Sequence, residues 1–254
     1  MEEKTQSLTV NPVTVSDLKY ALSRGIGDFI KAPQYGLFFG AFYALGGLAL
    51  FYGIFSAKIF WLAYPLVIGF ALIGPFIASG LYEVSRRLEE GKQLSWSRIL
   101  GVIWEQHRRE LGWMAFVVLF IFWIWMYQAR TLFAIFFGSA GFATFEGFLD
   151  AVLNTGDGLT FLLIGHVLGA VISLVLFALT VISCPLLLDR ETDFVSAMLA
   201  SIRTVFKSPI VMIGWGIFVV VSIMLSAIPA FAGLLIVLPV LGHATWHLYR
   251  RAVT

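Results

Sequence analysis

Charge is what this chain has least of. Asp, Glu, Lys and Arg make up 13% of its 254 residues, while 59% are hydrophobic. A soluble domain carries about 25% charged residues. A soluble fold of this length has too little interior for so much apolar surface. The excess must face lipid, which implies an all-α, polytopic integral membrane protein. Cysteine is nearly missing as well, and the single Cys184 excludes an intrachain disulfide. No basic tract is interleaved with aromatics, so the chain lacks the footprint of a nucleic-acid binder. The N-terminal segment, residues 1–14, is polar and has no basic stretch leading into an apolar run. The expectation is that no signal peptide is cleaved and that the first span serves as its own insertion signal. No nucleophile stands beside a base, so no enzyme activity is expected. No charged residue falls at the apolar centre of a long run, which counts against a proton- or ion-coupled carrier.

Long hydrophobic runs, in contrast, are plentiful. About 20 apolar residues cross a bilayer as a helix. Six stretches qualify: about Gln34–Ala57, Ile59–Tyr82, Leu111–Ala129, Thr160–Leu188, Pro209–Ala227 and Ala230–Tyr249. Of the 17 Lys and Arg residues, all but Lys58 and Arg130 fall in the N-terminal segment, the even-to-odd connections or the tail. By the positive-inside rule both termini are cytoplasmic.

The chain also repeats itself. GPFIASGLYEVSRRLEEG, from Gly74 to Gly91, takes an apolar helix through Gly-Pro into a charged cluster. Pro239 precedes Arg250-Arg251 at the same distance that Pro75 precedes Arg86-Arg87, and SCPLLLDRETD, from Ser183 to Asp193, is a looser third copy. Each odd span follows a short segment with helical spacing: Val15–Gln34, Leu94–Trp113 and Thr192–Ile210. Ser16, Ser95, and Thr192 or Asp193 are the expected N-caps. The apolar sets Leu18, Leu22, Ile26 and Val195, Met198, Leu199, Ile202 define one face, with basic residues on the other. These read as amphipathic helices at the cytoplasmic surface. The expected fold is thus one membrane domain, 15–254, of six transmembrane helices in three pseudo-repeated hairpins. Each hairpin is preceded by a short amphipathic cytoplasmic helix, and the repeat units are roughly 15–91, 94–188 and 192–254. The other reading is that any six-helix chain with positive-inside loops shows such a pattern.

Between Arg130 and Gly158 the external connection is long and rich in Phe: Phe133, Phe136, Phe137, Phe142, Phe145 and Phe148. An amphipathic or partly re-entrant helix is expected there. It is either a partner-docking face or an interfacial helix packed on its own bundle.

The sequences SRRLE (Ser85–Glu89), PLLLDR (Pro185–Arg190) and GHATWHLYRR (Gly242–Arg251), set along nearly the whole chain, resemble a family of predicted bacterial integral membrane proteins of unknown function, domain of unknown function 2189. Some members are labelled cytochrome c oxidase proteins. The resemblance implies the bacterial inner membrane and a respiratory context, and implies no activity.

His243 and His247 share a helix face one turn apart, and Cys184 is expected at a similar depth. A thiolate with two imidazoles suits copper or zinc, and haem is a further possibility. An interfacial anchor or a polar network is the other reading, and it leaves the protein without a cofactor. His166 reads as a helix–helix hydrogen-bond donor. Pro75, Pro185 and Pro239 read as kinks. Gly36 with Gly40, and Gly165 with Gly169, permit close helix packing. Glu83, Arg86, Arg87, Asp189 and Arg190 are expected to form an ion-pair cluster linking the repeats. Together these features point to a non-catalytic accessory subunit or assembly factor of a larger inner-membrane complex, with lipid and a membrane protein as partners. The alternative is a transporter or channel for a small or lipidic solute, lined at the three prolines. The oligomeric state is not encoded legibly.

Overall fold

The computed structural model describes residues 8–59, 74–107, 110–138, 142 and 144–254. Among them are eleven helices: α1 (Val15–Lys31), α2 (Pro33–Ala57), α3 (Gly74–Glu89), α4 (Trp96–His107), α5 (Glu110–Phe137), α6 (Phe145–Leu153), α7 (Gly156–Thr180), α8 (Ser183–Asp189), α9 (Phe194–Lys207), α10 (Pro209–Ala227) and α11 (Leu234–Ala252). Most of the expected second span, Ile59–Tyr82, lies outside the described residues, as do Arg108 and Arg109.

Four helices among the described residues are long and apolar enough to cross a membrane: α2, α5, the run Gly156–Asp189 and α10. The expected sixth span, now α11, is not among them. Its first half is apolar, but His243, His247, Arg250 and Arg251 crowd its second half. Those residues are the reason α11 matters most: His243, Ala244, Trp246, Leu248, Tyr249 and Ala252 are all fully buried.

Local chemistry sets the helix boundaries. Thr14 caps α1 through a capping box with Asp17, whose carboxylate accepts from the Thr14 amide in return. Ser16, the expected cap, lies inside the helix. The Ser95 hydroxyl accepts from the Arg98 amide at the start of α4, and Asp193 accepts from the Ser196 amide at 2.8 Å to start α9. α1 stops at Ala32 (φ −134°, ψ 52°) and α9 stops at Ser208 (φ −140°, ψ 59°). A proline follows each, and its ring keeps the preceding residue out of the helical region. Pro33 and Pro209 then open α2 and α10, where a missing N–H costs nothing. Two distant places therefore make the same one-residue corner between a short helix and a long one. Pro185 sits in the first turn of α8, and the helix breaks at Val181–Ile182 just before it. The proline has no hydrogen to give Val181. The freed Ile182 amide donates to Ser201 Oγ at 3.1 Å. Pro239 lies inside a continuous α11.

The inner ends of α3, α8 and α11 touch one another pairwise. Around them, each short helix packs against the long helix that precedes it: α4 on α3, α9 on α7 and α8. α1 packs on α11, at the opposite end of the chain. The termini complete this closure. Val10 and Val253 form an antiparallel bridge, with Thr9 and Thr254 exchanging backbone hydrogen bonds at 3.0 Å. Ser208 Oγ accepts from the Val13 amide, and Lys207 Nζ donates to the Val10 carbonyl, both at 2.8 Å. Residues 9–13 of the expected polar tail are thus held against α9 and the C-terminal segment.

α1 reaches α11 by backbone approach. A Cβ on Gly25 would stand 2.7 Å from Ala244 N and Val240 O. Gly40 of α2 makes an equally close approach to Leu235, and Gly36 meets the Phe29 ring and Pro239. The first small-residue pair therefore packs inside the bundle. A Cβ on Gly165 would meet nothing within 4 Å, while Gly169 is buried.

Candidate functional site

The polar side chains of the chain collect where α1, α3, α8 and α11 converge. At the centre, His247 Nε2 donates to Asp28 Oδ2 at 2.7 Å, and His247 Nδ1 faces Glu89 Oε1 at 3.2 Å. With a carboxylate at each nitrogen, the ring is held as the cation. Glu89 also accepts from Trp246 Nε1 at 3.1 Å and faces Arg250 Nε at 3.5 Å. Arg250 Nη1 donates to Asp189 Oδ2 at 3.1 Å, and Tyr249 Oη donates to the same oxygen at 2.7 Å. An unbroken chain of contacts thus runs from Asp28 through His247, Glu89 and Arg250 to Asp189. It joins four helices drawn from opposite ends of the sequence.

Burial alone would raise the Asp28 carboxyl. The hydrogen bond and charge of His247 outweigh it and hold the group below its ordinary value. Glu89 is lowered in the same way: burial opposes ionisation, and the bonds from His247 and Trp246 overcome it. At the rim, Arg251 Nε donates to Asp17 Oδ1 at 2.8 Å. Burial again works against Asp17, but its Thr14 and Arg251 bonds lower it.

The expected metal residues take different partners. His243 Nδ1 lies 2.8 Å from Ser85 Oγ, and its buried Nε2 has no hydrogen-bond partner. His247 is occupied by its two carboxylates. Cys184 is buried. Among the described residues no three His, Cys, Asp or Glu side chains are arranged to hold a metal ion. The expected ion-pair cluster divides in two. Glu83 is buried and pairs within α3 with Arg86 and Arg87, both at 2.6 Å. Asp189 belongs instead with Arg250 and Tyr249, and Arg190 Nη2 reaches the Val253 carbonyl at 3.5 Å. Among the described residues, a 3.5 Å contact from Arg86 Nη1 to the Leu188 carbonyl joins the first group to the α8 end. His166 Nδ1 donates to Leu162 O, one turn back in its own helix.

Sequence reasoning did not single out Asp28, Ser85 and Tyr249, and read Trp246 only as an interfacial anchor. For Asp28 a signal was available. Asp17 and Asp28 are eleven residues apart, so they share a helix face with Ala21 and Gly25. Two acids among small residues mark a face turned towards polar partners.

The six phenylalanines of the far end lie half-buried on one another. Phe133, Phe136 and Phe137 belong to α5, which runs two turns beyond its expected end. Phe142 packs edge-on against Phe137 at 5.7 Å and against Phe148 at 5.4 Å. Phe161 of α7 packs against Phe137 at 5.3 Å, and Phe55 of α2 meets Phe145 at 5.2 Å. The expected amphipathic helix is α6, capped by Thr144. A more outward aromatic set lies on α5 itself: Phe116, Phe120, Trp123 and Tyr127 stack successively at 6.2–6.4 Å, each more than half exposed. Near the Pro239 turn, a cavity of about 20 Å³ lies between Tyr43, Ala78, Leu81 and Leu238. That is room for about one water.

Compared with known proteins, residues 63–189, half of the chain, match the model of a family described as "Predicted integral membrane protein (DUF2189)". No curated protein and no solved structure matches the chain.

Proposed function

We propose that this chain, which belongs to the DUF2189 family of predicted integral membrane proteins, is a non-catalytic accessory subunit or assembly factor of a larger membrane complex. In this reading it crosses the bacterial inner membrane six times as three hairpins, with α1, α4 and α9 on the cytoplasmic side beside both termini. The apolar half of α11 then completes the sixth span with the turn before it. Three features support the repeat: the matching corners at Ala32 and Ser208, the pairwise contact of α3, α8 and α11, and the packing of α4 and α9 on the helices that precede them.

The observation that carries the functional reading is the use made of the polar residues. The densest group of acids, imidazoles and arginines in the described structure is spent on itself, locking α1, α3, α8 and α11 together. A protein that commits its polar chemistry to its own closure acts through its surface. The stacked ring face of α5 then offers a contact for another membrane protein, since aromatic side chains dominate such anchors. The respiratory context implied by the family resemblance makes respiratory complexes the first to search.

The test is purification from the source membrane in a mild detergent, followed by mass spectrometry of the native particle. A stoichiometric membrane-protein partner is expected, and Phe120→Ala with Trp123→Ala should release it. A parent chain that runs alone under every gentle condition would overturn the reading.

A further inference from the structure

The three short helices are turned the wrong way for water. The inward face of α1 is made of Asp17, Ala21, Gly25 and Asp28. Leu18 and Leu22 flank that face and pack against the core, while Val15, Ile26 and Ile30, 56%, 43% and 69% exposed, stand on the outer side. α9 repeats the inversion. Ala197, Ala200, Ser201, Thr204 and Val205 are buried, while Val195 and Leu199 are 45% exposed and Phe206 76%. The first turn of α4 also leaves Trp96 and Leu100 outside. Cations stand among these residues: Lys19 and Lys31 on α1, Arg98 on α4, Arg203 on α9. All four are exposed, and none has an ion-pair partner among the described residues. Both acids of α1 are buried and paired, and α9 contains none. The outward faces of α1 and α9 are therefore apolar and positive, with no negative charge of their own.

Something apolar with an anionic border must cover them. Its position is fixed by the corners at Ala32 and Ser208, where α1 and α9 turn within one residue into α2 and α10, two helices apolar enough to cross a membrane. We propose that α1, α4 and α9 form a collar immersed in the headgroup layer of the adjoining leaflet, with Ile26, Ile30, Leu100, Leu199 and Phe206 among the acyl chains and Lys19, Lys31, Arg98 and Arg203 on the phosphates of acidic phospholipids. Such a helix lies in the interface rather than across it. The collar rests on the spanning assignment above, and the controls below separate the two.

Cys184 is buried, so a cysteine introduced elsewhere labels alone. Chains carrying Ile26→Cys, Leu100→Cys or Phe206→Cys are labelled with an environment-sensitive fluorophore in nanodiscs of acidic and zwitterionic phospholipid. Phe120→Cys on α5 and Lys92→Cys in the loop before α4 serve as controls. Quenching is read from a nitroxide on the lipid and from aqueous iodide. The three collar labels should follow the lipid quencher with Phe120, and Lys92 should follow iodide. If the collar labels follow iodide while Phe120 follows lipid, the collar is wrong and the spans stand. If Phe120 follows iodide too, both readings fall. A second arm measures the lipid retained on the protein from an equal mixture. The parent should hold acidic lipid at least twofold over zwitterionic, and the combined Lys19→Gln, Arg98→Gln, Arg203→Gln chain should lose that preference. Equal retention by both chains overturns the assignment to acidic lipid.

Discussion

Asp28 and His247 hold the most consequential bond in the molecule, since both side chains are almost wholly removed from solvent. Asp28→Asn keeps the shape and removes the charge, so the imidazolium is left with Glu89 alone. Breaking a buried pair from one side costs about 3 kcal/mol, and thermal unfolding in detergent should show a clear loss. The same substitution should also alter the response to acid. The folded carboxyl lies below its ordinary value of 3.8. Its contribution is therefore complete above that value and is lost as pH falls through the lower, folded one. As pH falls from about 5 through the ordinary carboxylate value and below it, the parent should lose more stability than the variant, which lacks the Asp28 contribution. Equal losses would show that Asp28 does not matter to folding. Half of this site was legible in the sequence. The spacing of His243 and His247 placed both on one face, but the identity of their neighbours was hidden. Asp28 is separated from His247 by 219 residues, and no local pattern reports a contact over such a distance.

At the scale of elements, the three surface helices appear where periodicity and caps placed them, with Thr14 replacing Ser16 as the first cap. Their orientation was not legible. Helical-wheel logic assigns Leu18, Leu22 and Ile26 to the core because water rejects them. Here the tightest contact is to another helix backbone, which admits only small residues, so Leu18 and Leu22 pack beside it against the core while Ile26 is left outside. The glycines test this. Gly25→Ala drives a methyl group into Ala244 and Val240, and the separation of α1 from α11 should cost about 1–3 kcal/mol. Gly27→Ala meets nothing within 4 Å and should be neutral or stabilise by up to about 1 kcal/mol. Unfolding temperatures that move together for the two variants would rule out the close approach as the cause.

On the scale of the whole molecule, composition alone was enough to place the chain in a membrane, because 13% charge cannot cover a soluble surface of this length. The closure of the architecture was beyond sequence reading. α1 packs on α11, and the segment from Thr9 to Asn11 pairs with the segment from Ala252 to Thr254. Removing residues 1–13 deletes those backbone bonds, together with the Val13 bond to Ser208 and the Lys207 bond to Val10. Trypsin should then cleave after Lys19 and Arg24 faster than in the parent. A parent-like cleavage pattern would mean that α1 is held by its helix face alone.

This closure also imposes an order on the making of the protein. Asp17 waits for Arg251 and Asp28 waits for His247, partners translated 234 and 219 residues later. At roughly 5–20 residues per second, the first helix leaves the ribosome roughly 10–45 s before the helix that buries its acids exists. Until then its two carboxylates and the groove at Gly25 stand open, and every chain passes through that interval. α1 is thus seated long after it is made, so a ribosome that stalls before α11 releases a product with its inner seam unsealed, ready for a membrane protease to recognise.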